Sequence, residues 1–303
     1  MRVDKTDQRV DTTNHQDNQI DQLDVRPMGL NIDEPVVQKY GALRACLHSL
    51  NRTIVAYSGG VDSTLLTFVA FQVLGEQNML ALIGDSPSLP RKALDYARDF
   101  LEGRHIPYRI VETRELDNAD YAKNPFDRCY FCKQNLFARA LGIREELGFH
   151  SIAYGFTADD RGDFRPGNRA AQEAQVVSPL DIAGLGKSEI RRLSQALGIP
   201  GWDRPAMPCL ASRLAYGTPV REEYLRLIEE IEDFLNTQGF RNCRARYDGK
   251  TLKLEVPVQD IEKVAAAPWR EELVRRCREG GALFVSLDLE GLISGKLNRT
   301  IGK

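Results

Sequence analysis

No lysine follows the paired glycines of Ser58-Gly59-Gly60-Val61-Asp62-Ser63, which excludes the P-loop with its Gly-Lys-Ser/Thr ending. Other things are missing too. Met1-Arg2-Val3-Asp4 opens without the apolar core of a leader, and no apolar run approaches a membrane span, so a cytoplasmic protein without a membrane partner is expected. The formal net charge of −2 gives no basic field, which argues against bulk nucleic-acid binding. Residues 1 to about 30 are nearly free of aromatics and rich in Asp, Gln, Asn and Thr. Such a stretch cannot bury a core, and a disordered tail is expected over 1–32. Six cysteines in 303 residues are no disulfide scaffold, and in a reducing compartment clustered ones suit metal binding or catalysis. No internal repeat is visible.

What is present is ordinary globular material, 42% apolar and 28% charged, long enough for one large or two modest domains. A helix fits 34–50 and a short buried strand Ile54-Val55-Ala56-Tyr57. The apolar pattern from Leu65 to Leu74 is helical in length. Strands at 79–84, 108–111 and 152–155 alternate with helices, one opened by Pro90. This βαβαβ order predicts an α/β fold with a doubly wound parallel sheet over 33–216, its ligand at the carboxyl ends of the strands. From about Thr218 the pattern changes to a charged helix, a hairpin turning at Asp248-Gly249 and a last strand at 283–287. A smaller α+β unit is therefore expected over 217–303.

The strand, glycine turn and helix start around Ser58, Gly59, Gly60, Asp62 and Ser63 form an anion site. Glycines admit a close ligand, and the open N–H groups of the first helical turn face it. Cys129 and Cys132, at C-x-x-C spacing, can ligate one metal from a single turn, and a helix is expected after them. The polar loop 157–167 follows a strand. Its Asp160 and Asp163 can hold Mg²⁺ and Arg165 a phosphate, or the loop is simply solvated. Lys187 opens a helix against the dipole, which suggests it faces an anion, a surface lysine being the alternative. Cys209 lies in a proline-punctuated loop. Arg244 and Arg246 alternate on one strand face, where both guanidinium groups can reach one anion unless that face is merely solvated.

Ser-Gly-Gly-x-Asp-Ser after a strand resembles the PP-loop of the ATP pyrophosphatases. Together with Asn124-Pro-x-x-Arg128-Cys-Tyr-x-Cys-Lys133, Gly155-Phe-Thr-Ala-Asp-Asp160, Asp163-x-Arg165-Pro-Gly167, Pro208-Cys-Leu-Ala-Ser-Arg213 and Phe284-Val-Ser-Leu-Asp-Leu289, it resembles the LarE family over roughly residues 35 to 300. That resemblance implies an ATP- and Mg²⁺-dependent sulfur transferase. Its substrate would be a pyridinium dicarboxylate mononucleotide, in the making of the nickel-pincer nucleotide of lactate racemase. It places Cys209 at the sulfur-transfer centre, with Ser212 and Arg213 as further candidates, and Arg244 and Arg246 on the substrate phosphate. In members with that cysteine alone it surrenders its own sulfur. Here Cys129 and Cys132 accompany it, as in members whose three cysteines bind a 4Fe–4S cluster. Zinc or a redox C-x-x-C remains an alternative. The resemblance also implies a homo-oligomer and leaves the sulfur donor unknown. Rival functions are a PP-loop tRNA thiolase, an amide-forming ligase of the NAD or GMP synthetase type, and a non-catalytic nucleotide or iron–sulfur sensor.

Overall fold

The computed structural model describes residues 32–162, 166–205, 207–293 and 295–301, so the tail expected over 1–32 lies outside them except for its last residue. The first part runs α1 (Glu34–Ser49), β1 (Thr53–Ala56), α2 (Val61–Leu74), β2 (Met79–Asp85), α3 (Arg91–Glu102), β3 (Tyr108–Glu112), α4 (Ala119–Ala122), α5 (Arg128–Leu147) and β4 (Ser151–Tyr154). Then come α6 (Pro166–Glu173), α7 (Pro179–Ile182), α8 (Lys187–Ala196) and α9 (Glu222–Thr237). The chain closes with β5 (Arg244–Tyr247), β6 (Thr251–Glu255), α10 (Ile261–Ala265), α11 (Arg270–Glu279) and β7 (Phe284–Leu287).

β1 is buried along its whole length, as a run of Thr, Ile, Val and Ala in the middle of a parallel sheet requires. It pairs in parallel with β2 on one side, Thr53 opposite Met79, and with β4 on the other, Thr53 opposite Ser151. The order is β3-β2-β1-β4, so strand order reverses at β1 and opens a crevice beyond its carboxyl end. Helices pack on both faces, as the doubly wound reading requires. Leu43 and Leu47 of α1, Leu65 and Val69 of α2, Phe100 of α3 and Leu193 of α8 close one side. Phe137, Ala140 and Ile143 of α5 with Ala170 and Ala171 of α6 close the other. Each of the buried Leu, Val, Ile and Phe side chains contributes about 1.5–3 kcal/mol.

The second sheet, β5-β6-β7, joins β5 and β6 through the Asp248-Gly249 turn. Gly249 has φ +92°, and Asp248 Oδ1 accepts the N–H groups of Lys250 and Thr251 at 2.8 and 2.6 Å. Its core, built on Leu225, Ile228, Ile231 and Leu235 of α9, also takes in Tyr121, Leu210, Ala211 and Leu214. The segment bearing Cys209 is thereby anchored to both halves of the chain.

Two local expectations differ from the structure. Cys129 and Cys132 lie inside α5, which begins at Arg128, because Asp127 and the Pro125 turn stop the chain just ahead of them. α6 begins at Pro166, so it takes in the last two residues of the stretch read as a polar loop over 157–167. Packing of Ala170 and Ala171 against α5 supplies what local propensity does not. Among the described residues, no helix is long and apolar enough to cross a membrane.

Candidate active site

The Ser58–Ser63 loop is tied to itself. Ser58 Oγ lies 3.0 Å from Ser63 Oγ, which donates to the Gly60 carbonyl at 3.0 Å. Thr64 meets the same carbonyl through its N–H at 2.9 Å and its hydroxyl at 2.8 Å. Gly59 has φ +74°, and a Cβ there would lie 3.1 Å from Ala97 Cβ, so glycine is required twice over. Gly60 is the N-cap of α2 and has no side chain to cap with, which leaves the first-turn N–H groups for a ligand. Gly155, at the end of β4, backs this turn so closely that a Cβ would sit 3.0 Å from the Ser63 nitrogen.

Two cavities meet at the loop, and Ser58, Gly60, Asp62, Leu89 and Cys209 line both. One, about 420 Å³, runs over the carboxyl ends of the strands and is walled by Cys129, Cys132 and Cys209 as well. The other, about 580 Å³, carries Lys187, Arg191, Trp202 and Arg204. The first cavity thus brings the loop and all three cysteines together. All six cysteines are free thiols; Cys129 is exposed, Cys132 and Cys209 half-buried, Cys243 and Cys277 buried in the second core. Burial pushes the Cys132 thiol well up, and Glu115, Cys209 and Cys129 push the same way. Among the described residues no three His, Cys, Asp or Glu side chains gather closely enough to share one metal ion.

Three groups in the thiol cavity were not anticipated. Glu115, just past β3, is buried, and burial raises its carboxyl above the usual value, opposed by the Ser86 and Thr113 hydroxyls. Tyr121 is buried, shares a 2.7 Å hydrogen bond with Ser88, and is pushed up by burial and by Cys209 and Cys132. Arg128 is buried beside Cys129. An acidic side chain just beyond a parallel strand was the available signal for Glu115. Tyr121 had none, because it joins the site only through long-range packing.

Cys209 is presented by a short 3₁₀ turn, Leu210–Arg213, rather than by a helix. Its carbonyl accepts from the Ser212 N–H at 3.0 Å, the Ser212 hydroxyl at 2.7 Å and Arg213 Nη1 at 3.0 Å. Arg213 is 3% exposed, and its Nε and Nη2 make a two-pronged pair with Glu232 of α9, both bonds 2.9 Å. Ser212 and Arg213, the further candidates beside Cys209, both hold its backbone carbonyl in this geometry.

Lys187 does face an anion, the Asp160 carboxylate at 2.9 Å, and its own N–H donates to Asp159 at 2.7 Å. Asp160 also accepts the Thr157 N–H at 3.2 Å and lines neither cavity, so it supports Lys187 from behind. Asp163 and Arg165 lie outside the described residues. Arg244 and Arg246 share one face of β5 but not one environment. Arg246 is held by Glu255 at 3.0 Å and by the Ser212 carbonyl at 2.9 Å. Arg244 faces a groove with Lys92, Arg213 and Arg241, and burial, then Arg213, lower its pKa.

Comparison with known proteins gives independent landmarks. The NAD synthase family model matches residues 40–148, the part carrying the loop and the cysteine pair. The chain is 40% identical over 261 residues to an uncharacterized protein of Synechocystis sp., covering 86% of this chain and 97% of that one. It is 30% identical over 265 residues, 88% of this chain and 95% of the relative, to the pyridinium-3,5-bisthiocarboxylic acid mononucleotide synthase of Lactiplantibacillus plantarum. An NH(3)-dependent NAD(+) synthetase of Chlorobaculum tepidum is 25% identical over 193 residues, 58% of this chain and 65% of its own.

Proposed function

Since the chain belongs to the LarE family of pyridinium-3,5-bisthiocarboxylic acid mononucleotide synthases, we propose that it converts a carboxylate of a pyridinium dicarboxylate mononucleotide into a thiocarboxylate, for nickel-pincer cofactor synthesis. It is an ATP-dependent enzyme acting on a nucleotide substrate. The observation that carries the reading is the single cavity shared by the Ser58–Ser63 loop and the three thiols.

A carboxylate cannot expel oxide, so it must first be activated. In the reading proposed here its oxygen attacks the α-phosphorus of ATP, pyrophosphate leaves, and an acyl-adenylate forms. A sulfur nucleophile then attacks the acyl carbon and AMP leaves with the original carboxylate oxygen. No electron is gained or lost. Gly59, Gly60 and the first-turn N–H groups of α2, with the hydroxyls of Ser58 and Ser63, receive the departing negative charge. Lys187, held by Asp160, approaches from the second cavity. Asp62, which lines both cavities, would hold Mg²⁺, which would neutralise phosphate charge. Arg244 is assigned to the substrate phosphate, with Arg246 steadying the strand and the Ser212 carbonyl.

Cys129, Cys132 and Cys209 are the residues that would hold a 4Fe–4S cluster. A helical i, i+3 pair has Cβ atoms about 5–6 Å apart. That spacing lets each thiolate take its own iron of a cluster, as it also lets two thiolates share one metal ion. Such a cluster would supply sulfide for the transfer, with these three thiolates as its protein ligands. Free thiols throughout and sulfide chemistry agree with a cytoplasmic setting.

The NAD synthase match favours one other reading, an amide-forming ligase, which shares the adenylation half. It leaves the three thiols without a role. The test of adenylation is exchange of labelled pyrophosphate into ATP. Exchange that requires the pyridinium dicarboxylate mononucleotide supports the proposal, and exchange that ignores it while responding to another carboxylic acid overturns it.

A further inference from the structure

Two charged side chains of the thiol cavity carry hydrogen-bonding capacity that the protein leaves unused. Glu115 is 1% exposed; the Ser86 and Thr113 hydroxyls stand near it, but neither carboxylate oxygen makes a well-formed hydrogen bond and, among the described residues, no basic side chain pairs with it. Arg128 is 7% exposed; it donates to Asn124 Oδ1 at 2.9 Å and lies 5.4 Å from the centre of the Tyr216 ring, while its Nε meets no acceptor. Both line the cavity that holds Ser58, Cys132 and Cys209. A buried charge without a partner costs several kcal/mol, so a site that keeps one of each sign is built for something that completes them.

We propose that Glu115 and Arg128 form the seat of the acceptor ring, Arg128 binding a ring carboxylate and Glu115 facing the positive ring nitrogen. The ligand class is a planar aromatic cation bearing carboxylates, and the proposal rests on the function proposed above. A phosphate is a poor fit beside Glu115, because like charges repel. A neutral nucleoside has no use for both signs. A pyridinium dicarboxylate satisfies both, and the apolar walls of Ile83, Leu136 and Phe137 suit its ring. Arg128 is the residue next to Cys129, so a carboxylate held there is set beside the thiols and within the cavity of the adenylating loop.

The test is calorimetric binding of two probes to the intact chain. One is the pyridinium dicarboxylate mononucleotide, and the other its benzene-ring counterpart with the same ribose phosphate and no ring charge. Wild type is expected to prefer the cation by about tenfold or more, a charged contact of this kind being worth roughly that factor. Glu115→Gln, which keeps shape, removes the preference while ATP affinity stays as in wild type and the melting temperature does not fall. Arg128→Gln weakens both probes alike. A Glu115→Gln protein that keeps the full preference overturns the proposal and leaves the function intact. Wild type that binds neither probe overturns the function and the seat together.

Discussion

Replacing Glu232 by Gln should loosen Cys209 from a distance. Glu232 is 8% exposed; it receives both prongs of Arg213 at 2.9 Å, and its Oε1 also accepts the Ala245 N–H at 3.1 Å. Arg213 in turn donates to the carbonyls of Pro208 and Cys209 at 2.5 and 3.0 Å. Glu232→Gln leaves a guanidinium buried without a counter-charge, which costs about 3–5 kcal/mol and lowers the melting midpoint by on the order of 10 °C. Arg213→Met should cost a similar amount by stranding the carboxylate. The double variant Arg213→Met/Glu232→Leu removes both charges and should recover most of that loss. It falls short by about 1 kcal/mol, because the Ala245 N–H then lacks its acceptor. Sulfur transfer should not recover with stability, since the carbonyls of Pro208 and Cys209 have lost their donor. Thermal unfolding and a sulfur-transfer assay on wild type, Glu232→Gln, Glu232→Leu, Arg213→Met and the double variant complete the cycle. Single variants within about 0.5 kcal/mol of wild type, the ordinary range of surface substitutions, would refute the reasoning. So would a double variant as unstable as the sum of its parts.

Gly59→Ala should lower acceptor-dependent pyrophosphate exchange at least tenfold and cost about 1–2 kcal/mol, since φ is +74° and the new methyl meets Ala97 Cβ at 3.1 Å; urea unfolding beside the exchange assay checks both. Burial opposes ionisation of Asp288, but hydrogen bonds from Lys296 and Lys253 win and hold its pKa at about 2. Its folded value is therefore below the unfolded one, and the stability it gives is present above about pH 4 and lost as pH falls toward 2. Acid melting curves should show Asp288→Asn less steep than wild type across that window by on the order of 1 kcal/mol. Chain purified without oxygen should contain about four irons with matching labile sulfide, and Cys129→Ala should lose them. A colourless, iron-free wild type would transfer attention to Cys209 as the sulfur itself.

The nucleotide half was legible because its chemistry is local. Strand, Gly59-Gly60 turn and helix start are contiguous, so six residues determine the anion site and its place at the end of β1. The hairpin at Asp248-Gly249 was legible for the same reason. What could not be read was contact made across long separations. Arg213 was a candidate because it neighbours Cys209 in sequence, while its partner Glu232, on another helix, could not be read. The pairing of Asp160 with Lys187, on a later helix, was likewise out of reach of the sequence. Glu115 and Tyr121 enter the site only when β3 and α4 pack beside α5 and the 3₁₀ turn at Leu210. α6 escaped notice because its stability is tertiary.

The most direct measurement of the central claim is mass spectrometry of the acceptor after turnover with ATP, Mg²⁺ and sulfide under anaerobic conditions, alongside quantified AMP and pyrophosphate. The account predicts a pyridinium mononucleotide in which sulfur replaces a carboxylate oxygen, with one AMP and one pyrophosphate formed for each replacement. Release of ADP and phosphate, or an acceptor converted to an amide when ammonia is supplied and left unchanged by sulfide, would contradict it.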